Sequence, residues 1–145
     1  MAVGDFNGDG KLDLVTTNYS VAYDRFHSGV LENDMRVYLG DGDGTFQAAQ
    51  VFPAGDGPLS VAVADVNADG IADLVVANSN DYKVSVLLGN GDGAFQAPRN
   101  YAAGGGPWSV VVADFNRDNY PDVAVANHIA PGAVTVLINA ADWGR

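Results

Sequence analysis

Apolar residues along this chain come in short, valine-rich runs that alternate with polar positions and are closed off by Gly, Asn or Asp. That patterning predicts β-strands separated by tight turns. The clearest runs are Pro58 to Val66 and Pro107 to Phe115, then Asp73 to Ala77 and Asp122 to Ala126. Lys83 to Leu88 and Val134 to Ile138 follow, and Phe95 to Tyr101 is a more polar fourth.

The runs recur in register. Leu39 to Ala48 lies over Leu88 to Ala97 at an offset of 49, and Gly57-Pro58, Ser60, Asp65 and Asn78 fall on Gly106-Pro107, Ser109, Asp114 and Asn127 at the same offset. The Asp5 segment matches Asp65 at an offset of 60, with 11 extra residues in one loop of the first copy. The chain reads as three copies, about 1–56, 57–105 and 106–145, in a single unit. Four short strands per copy at this period predict propeller blades, whose faces need neighbouring blades to be buried. A β-sandwich does not require a repeating sequence. The expected fold is therefore all-β: three four-stranded antiparallel propeller blades, the last incomplete, forming a partial ring or assembling into a full one.

Composition narrows the partners. There are 18 acidic against 7 basic residues in 145, a formal charge of −11, and no cysteine. A disulfide scaffold, a cysteine nucleophile and a thiolate metal site are excluded. The seven cations are scattered along the chain, so nucleic acid is not an expected partner. No apolar run reaches the ~20 residues that span a bilayer, and any export signal is expected to lie outside the chain. Glu32 is the only glutamate, and the 17 aspartates stand beside 18 glycines, a turn-forming pair.

Half of those acids sit in three loops with one spacing. Asp5-Phe6-Asn7-Gly8-Asp9-Gly10-Lys11-Leu12-Asp13 matches Asp65-Val66-Asn67-Ala68-Asp69-Gly70-Ile71-Ala72-Asp73 and Asp114-Phe115-Asn116-Arg117-Asp118-Asn119-Tyr120-Pro121-Asp122. Side-chain oxygens recur at positions 1, 3, 5 and 9, and the position-7 carbonyl of Lys11, Ile71 or Tyr120 can add a backbone ligand. Such a set suits calcium better than zinc, having no sulfur or imidazole, and better than magnesium, which keeps more water. Solvated Asp-Gly hairpin turns are the competing reading; carboxylates crowded in three equivalent loops repel one another without a counter-ion. An EF-hand would need glutamate at position 12 and a following helix. Position 12 is Thr16, Val76 and Val125, inside valine-rich runs. The Gly42 to Phe46 and Gly91 to Phe95 stretches read as hairpin turns carrying one buried aromatic each.

The Asp-x-Asn-x-Asp-Gly-x-x-Asp loop before a valine-rich strand, followed by Leu-Gly-x-Gly-Asp-Gly-x-Phe, resembles the FG-GAP or VCBS repeat of integrin-α-like β-propellers over essentially the whole chain. The resemblance implies a seven- or eight-bladed ring, calcium between the first two strands of each blade, and an extracellular adhesion, lectin-like or enzyme-accessory role. Carried over position by position, the ligands are Asp5, Asn7, Asp9 and Asp13, Asp65, Asn67, Asp69 and Asp73, and Asp114, Asn116, Asp118 and Asp122. The third loop departs at Asn119 and Pro121. About three calcium ions per chain would bring the formal charge from −11 to −5.

Three copies cannot close a ring of about four to eight blades. The expected partners are the rest of a longer propeller or further copies of this chain, joined through bare blade edges and faces. The insertion, Tyr19 to Met35, is expected opposite the calcium loops, near Trp108 and His128. Its Tyr19, Tyr23, Arg25, Phe26 and His27 form a lip for a glycan or protein, or fold back onto their own blade. A strand start suits Trp108 to wedging between blades, and both histidines to the surface. No hydrolase motif is present, and clustered aspartates held ionised by calcium are poor general acids. The functions left are a calcium-stabilised binding or adhesion module, the propeller part of a secreted polysaccharide-degrading enzyme, or a structural repeat segment.

Overall fold

The computed structural model describes residues 1–19, 33–129 and 133–143. They form three antiparallel sheets without a helix. The first holds β1 (Ala2–Gly4), β2 (Asp13–Asn18), β3 (Asp34–Tyr38) and β4 (Gln50–Pro53) in chain order. The second holds β5 (Pro58–Ala64), β6 (Asp73–Asn78), β7 (Lys83–Leu87) and β8 (Arg99–Ala102), and the third β9 (Pro107–Ala113), β10 (Asp122–Asn127) and β11 (Val134–Leu137). These are two complete blades and a three-stranded third, a partial propeller of the expected kind.

The middle blade shows why the strands read as they do. All six residues of β6 are buried. Leu74 and Val76 face the first blade, joining Phe6, Val15, Met35, Val37 and Ala54. Val75 and Ala77 face the third, joining Val110, Val123, Val125 and Trp143. A strand covered on both faces has no reason to alternate polar with apolar, hence the unbroken Leu-Val-Val-Ala. Each fully buried valine contributes about 1.5–3 kcal/mol, so the two inter-blade layers dominate stability.

The strand limits differ from the sequence reading in ways that have physical causes. Val66 and Phe115 lie past their strands, because their amides turn to donate to loop carboxylates. Phe95 makes one isolated bridge to Gly89, and the fourth strand starts only at Arg99. Met35 is not in the insertion; it is in β3 and fully buried. Tyr23, Arg25, Phe26 and His27 lie outside the described residues.

The sequence predicts one buried aromatic in each hairpin, but the two are not equally buried. Phe95 packs edge-on between Phe6 and Phe52, at centroid distances of 5.6 and 5.4 Å. Phe46, at the same place in the first blade, is 46% exposed. Phe95 belongs to the second blade and reaches across to the first; among the described residues no blade covers Phe46. In the third blade the equivalent contact is made by Trp143, buried 5.3 Å from Tyr101, which stands where Phe52 stands in the first blade.

Candidate functional site

Each aspartate loop is built by the same set of hydrogen bonds. The position-1 carboxylates Asp5, Asp65 and Asp114 accept the amides of position 5, at 3.2, 3.0 and 3.2 Å, and of position 6, at 2.9, 2.8 and 3.0 Å. Asn7, Asn67 and Asn116 accept from the amide two residues on, and Asp9, Asp69 and Asp118 do the same for position 7. Position 6 is left-handed in all three loops, at Gly10, Gly70 and Asn119. So is position 4, where Ala68 and Arg117 have φ of 60° and 66°. A non-glycine residue rarely takes this conformation, and here the carboxylate-to-amide bonds hold it.

Position 9 does something different. Asp13, Asp73 and Asp122 are completely buried. One oxygen of each accepts the amide of loop position 2, from Phe6, Val66 and Phe115 at 2.8, 2.9 and 3.0 Å. The other accepts the amide after the third strand, from Gly40, Gly89 and Asn139, each at 2.8 Å. Burial pushes the Asp73 carboxyl above the usual carboxylate range against the pull of the Gly89 and Val66 amides, with the nearby Asp69 and Asp65 adding to the rise. In contrast, the Lys11 amide foremost holds exposed Asp9 below that range, and its ammonium lies 3.3 Å from Asp9 Oδ2.

The donors are chemically suited to a hard cation: two carboxylates and an amide oxygen per loop in front, with a carbonyl at position 7. With position 9 turned to the backbone, no three acidic side chains are gathered closely enough to hold a metal ion among the described residues.

The clamps need a partner that comes very close. A Cβ on Gly40 would fall on the Leu12 carbonyl oxygen, and one on Gly89 on that of Ala72. The third blade solves this with a side chain. Asn139 is buried, and its Nδ2 donates to Pro121 O at 3.2 Å and to Val66 O at 2.7 Å. One blade earlier the corresponding carbonyl, Phe6 O of the first blade, is met by the Gly93 amide of the second at 2.9 Å. Asn139 and Trp143 thus do together what the Gly-Asp-Gly-x-Phe turn does elsewhere; the sequence reading missed both, because neither residue type repeats.

At the opposite end of the blades the structure brings together Tyr19, Trp108 and His128 around a cavity of about 300 Å³. Trp108 does not wedge between blades: it is 57% exposed and lies edge-on to His128, centroids 5.0 Å apart. The strand-start position lies at the rim, outside the inter-blade layer. His128 Nδ1 lies 2.8 Å from Gly106 O, which can only accept, so Nδ1 carries the proton. Ser79, Asn80 and Tyr82 also line it, with Leu59 and Ile129; the sequence offered no signal for the first three beyond their place in a loop equivalent to that of Tyr19.

Among the described residues no helix is long and apolar enough to cross a membrane. No match among curated proteins accompanies the family comparison. A family model, the FG-GAP-like repeat, matches residues 5–76 and again 65–125. Those two matches join the first blade to the second and the second to the third, the pairs whose loops and clamps superimpose, and the chain belongs to the FG-GAP-like repeat family.

Proposed function

We propose that this chain is a calcium-binding segment of a β-propeller that serves as an extracellular ligand-binding or adhesion module. The observation that carries the reading is the threefold recurrence of one loop, with nine carboxylates in equivalent places. Calcium would be held by Asp5, Asn7, Asp9 and the Lys11 carbonyl, by Asp65, Asn67, Asp69 and the Ile71 carbonyl, and by Asp114, Asn116, Asp118 and the Tyr120 carbonyl. Asp13, Asp73 and Asp122 fix the base of each loop through two backbone amides, and the remaining lone pairs of their carboxylates can join the set. Bound calcium would neutralise the loop carboxylates and tie the first two strands of each blade together.

Calcium should raise thermal stability by binding the folded chain alone, about 2.7 kcal/mol per site at a hundredfold excess over Kd. Differential scanning calorimetry with calcium and after exhaustive chelation tests this. An unchanged melting temperature would overturn the metal reading.

The third blade also supports a partner of its own kind. Its outer face carries Val111, Phe115, Val134, Val136 and Ile138, all 45–68% exposed. The corresponding residues of the second blade include Val66, Val84, Val86 and Leu88, which the third blade covers. A further blade of the same repeat, from a longer chain or a second copy, would bury that face. Light scattering at micromolar concentration in calcium should give a mass above one chain; a strict monomer would count against self-assembly.

A further inference from the structure

The cavity at the end opposite the aspartate loops is where the repeat stops repeating. Asn18, Asn78 and Asn127 close the second strand of each blade, and the next residue in each is Tyr19, Ser79 and His128. All three line the one cavity. At strand starts, Leu59 of the second blade is answered by Trp108 in the third, and both border it. The positions that hold the fold are shared between copies, whereas these are not, and two of the departures place large rings in water.

Tyr82 adds a second, independent sign. It is half exposed and has φ of 57°, a conformation a bulky aromatic seldom takes. Its carbonyl accepts the Ala103 amide at 3.0 Å, which fixes the turn and presents the ring at the cavity. Asn80 is anchored through Nδ2 to Asp56 at 3.2 Å, leaving its amide oxygen for other use. With Nδ1 of His128 engaged, Nε2 is the acceptor of the neutral ring.

The geometry points to a binding site for a neutral saccharide in this cavity. The inference rests on the ligand-binding reading above and gives it a place and a chemical class; it does not rest on calcium. Among the described residues, no Lys or Arg lines the cavity to pair a phosphate, sulfate or uronate, and no Asp or Glu lines it to pair a cation. A wholly apolar ligand would leave Ser79, Asn80 and His128 unpaired. A peptide adding to a sheet would seek a strand edge, and this cavity is walled by loops and strand starts. A sugar ring offers what remains: a C–H face to lie on the indole of Trp108, and hydroxyls that both donate and accept.

The test uses the full chain in calcium on an array holding neutral, anionic and sulfated glycans together with peptides. Titration with the retained saccharide follows, read by tryptophan fluorescence, since Trp143 is buried and Trp108 is exposed. Trp108→Leu installs the residue the second blade carries at the same place, and His128→Ser does likewise. A neutral saccharide should be retained, and Trp108→Leu should weaken it at least tenfold with an unchanged melting temperature. Tyr82→Asn, which tolerates the left-handed turn, should weaken it too, and stands in should Trp108→Leu fail to fold. Saccharide binding indifferent to these folded variants would overturn the site, and retention of only anionic glycans or peptides would overturn the class; both leave the ligand-binding reading intact. Retention of nothing would overturn both.

Discussion

The two ends of the blades have been written under different rules. At the aspartate-loop end, three copies share the same hydrogen bonds to within 0.3 Å, from position 1 through the buried carboxylate at position 9. At the other end, the equivalent residues are Tyr19, Ser79 and His128. Burial explains the contrast at position 9. A buried carboxylate with two amide donors has few chemical substitutes, and exposed rim positions such as Tyr19 and His128 carry no comparable cost. Variation is free where water can satisfy the backbone, which is also where a ligand can arrive.

That contrast breaks most severely at Asp73. Removing it by Asp73→Ala strands the buried Val66 and Gly89 amides, and should cost about 4 kcal/mol in urea unfolding. Asp69→Ala, in the same loop but at its exposed front, should leave calcium-free stability unchanged and lower the response to calcium. Equal losses from the two would refute the division of labour between position 9 and the metal-facing positions.

Next in size is the aromatic that crosses between blades. Phe95→Ala should cost about 3 kcal/mol by opening the layer between Phe6 and Phe52, and Trp143→Ala a similar amount beside Tyr101. Phe46→Ala, at the repeat-equivalent of Phe95, should stay within about 0.5 kcal/mol in the monomer. A loss at Phe46 matching that at Phe95 would mean that its face is covered in solution, and sedimentation velocity on the same samples would show the partner.

A smaller effect is expected at Asn139. Asn139→Ala keeps its amide on Asp122 and loses the bonds to Val66 O and Pro121 O, for about 2 kcal/mol. The smallest is at the cavity. Trp108→Leu should lie within about 0.5 kcal/mol of the parent in thermal unfolding, since its exposed ring contributes little to the core. A large loss there would make the rim part of the fold and not a surface held for binding.

Much of this was legible in the sequence. The offset of 49, the valine runs and the three nine-residue loops led to blades, strand order and loop placement, all of which the structure has. The repeat also marked Asp13, Asp73 and Asp122 as special, as ligands. Their use as backbone clamps could not be read, because the amides they hold are 7 residues away on one side and up to 27 on the other. The third blade's substitution of Asn139 and Trp143 for a glycine turn and a phenylalanine was equally hidden. It preserves a contact while changing every residue that makes it.

What the sequence determined by itself was local and periodic: strands from alternation, turns from Asp and Gly, and blades from recurrence, since each depends on residues close along the chain. Only the tertiary structure decided which faces are covered. Identical repeat positions are buried in the middle blade and bare in the third, as at Val86 and Val136, because burial depends on the neighbour and not on the residue. The same holds for Tyr19, Ser79 and His128. Far apart in sequence, they meet at one cavity because three blades stack in register.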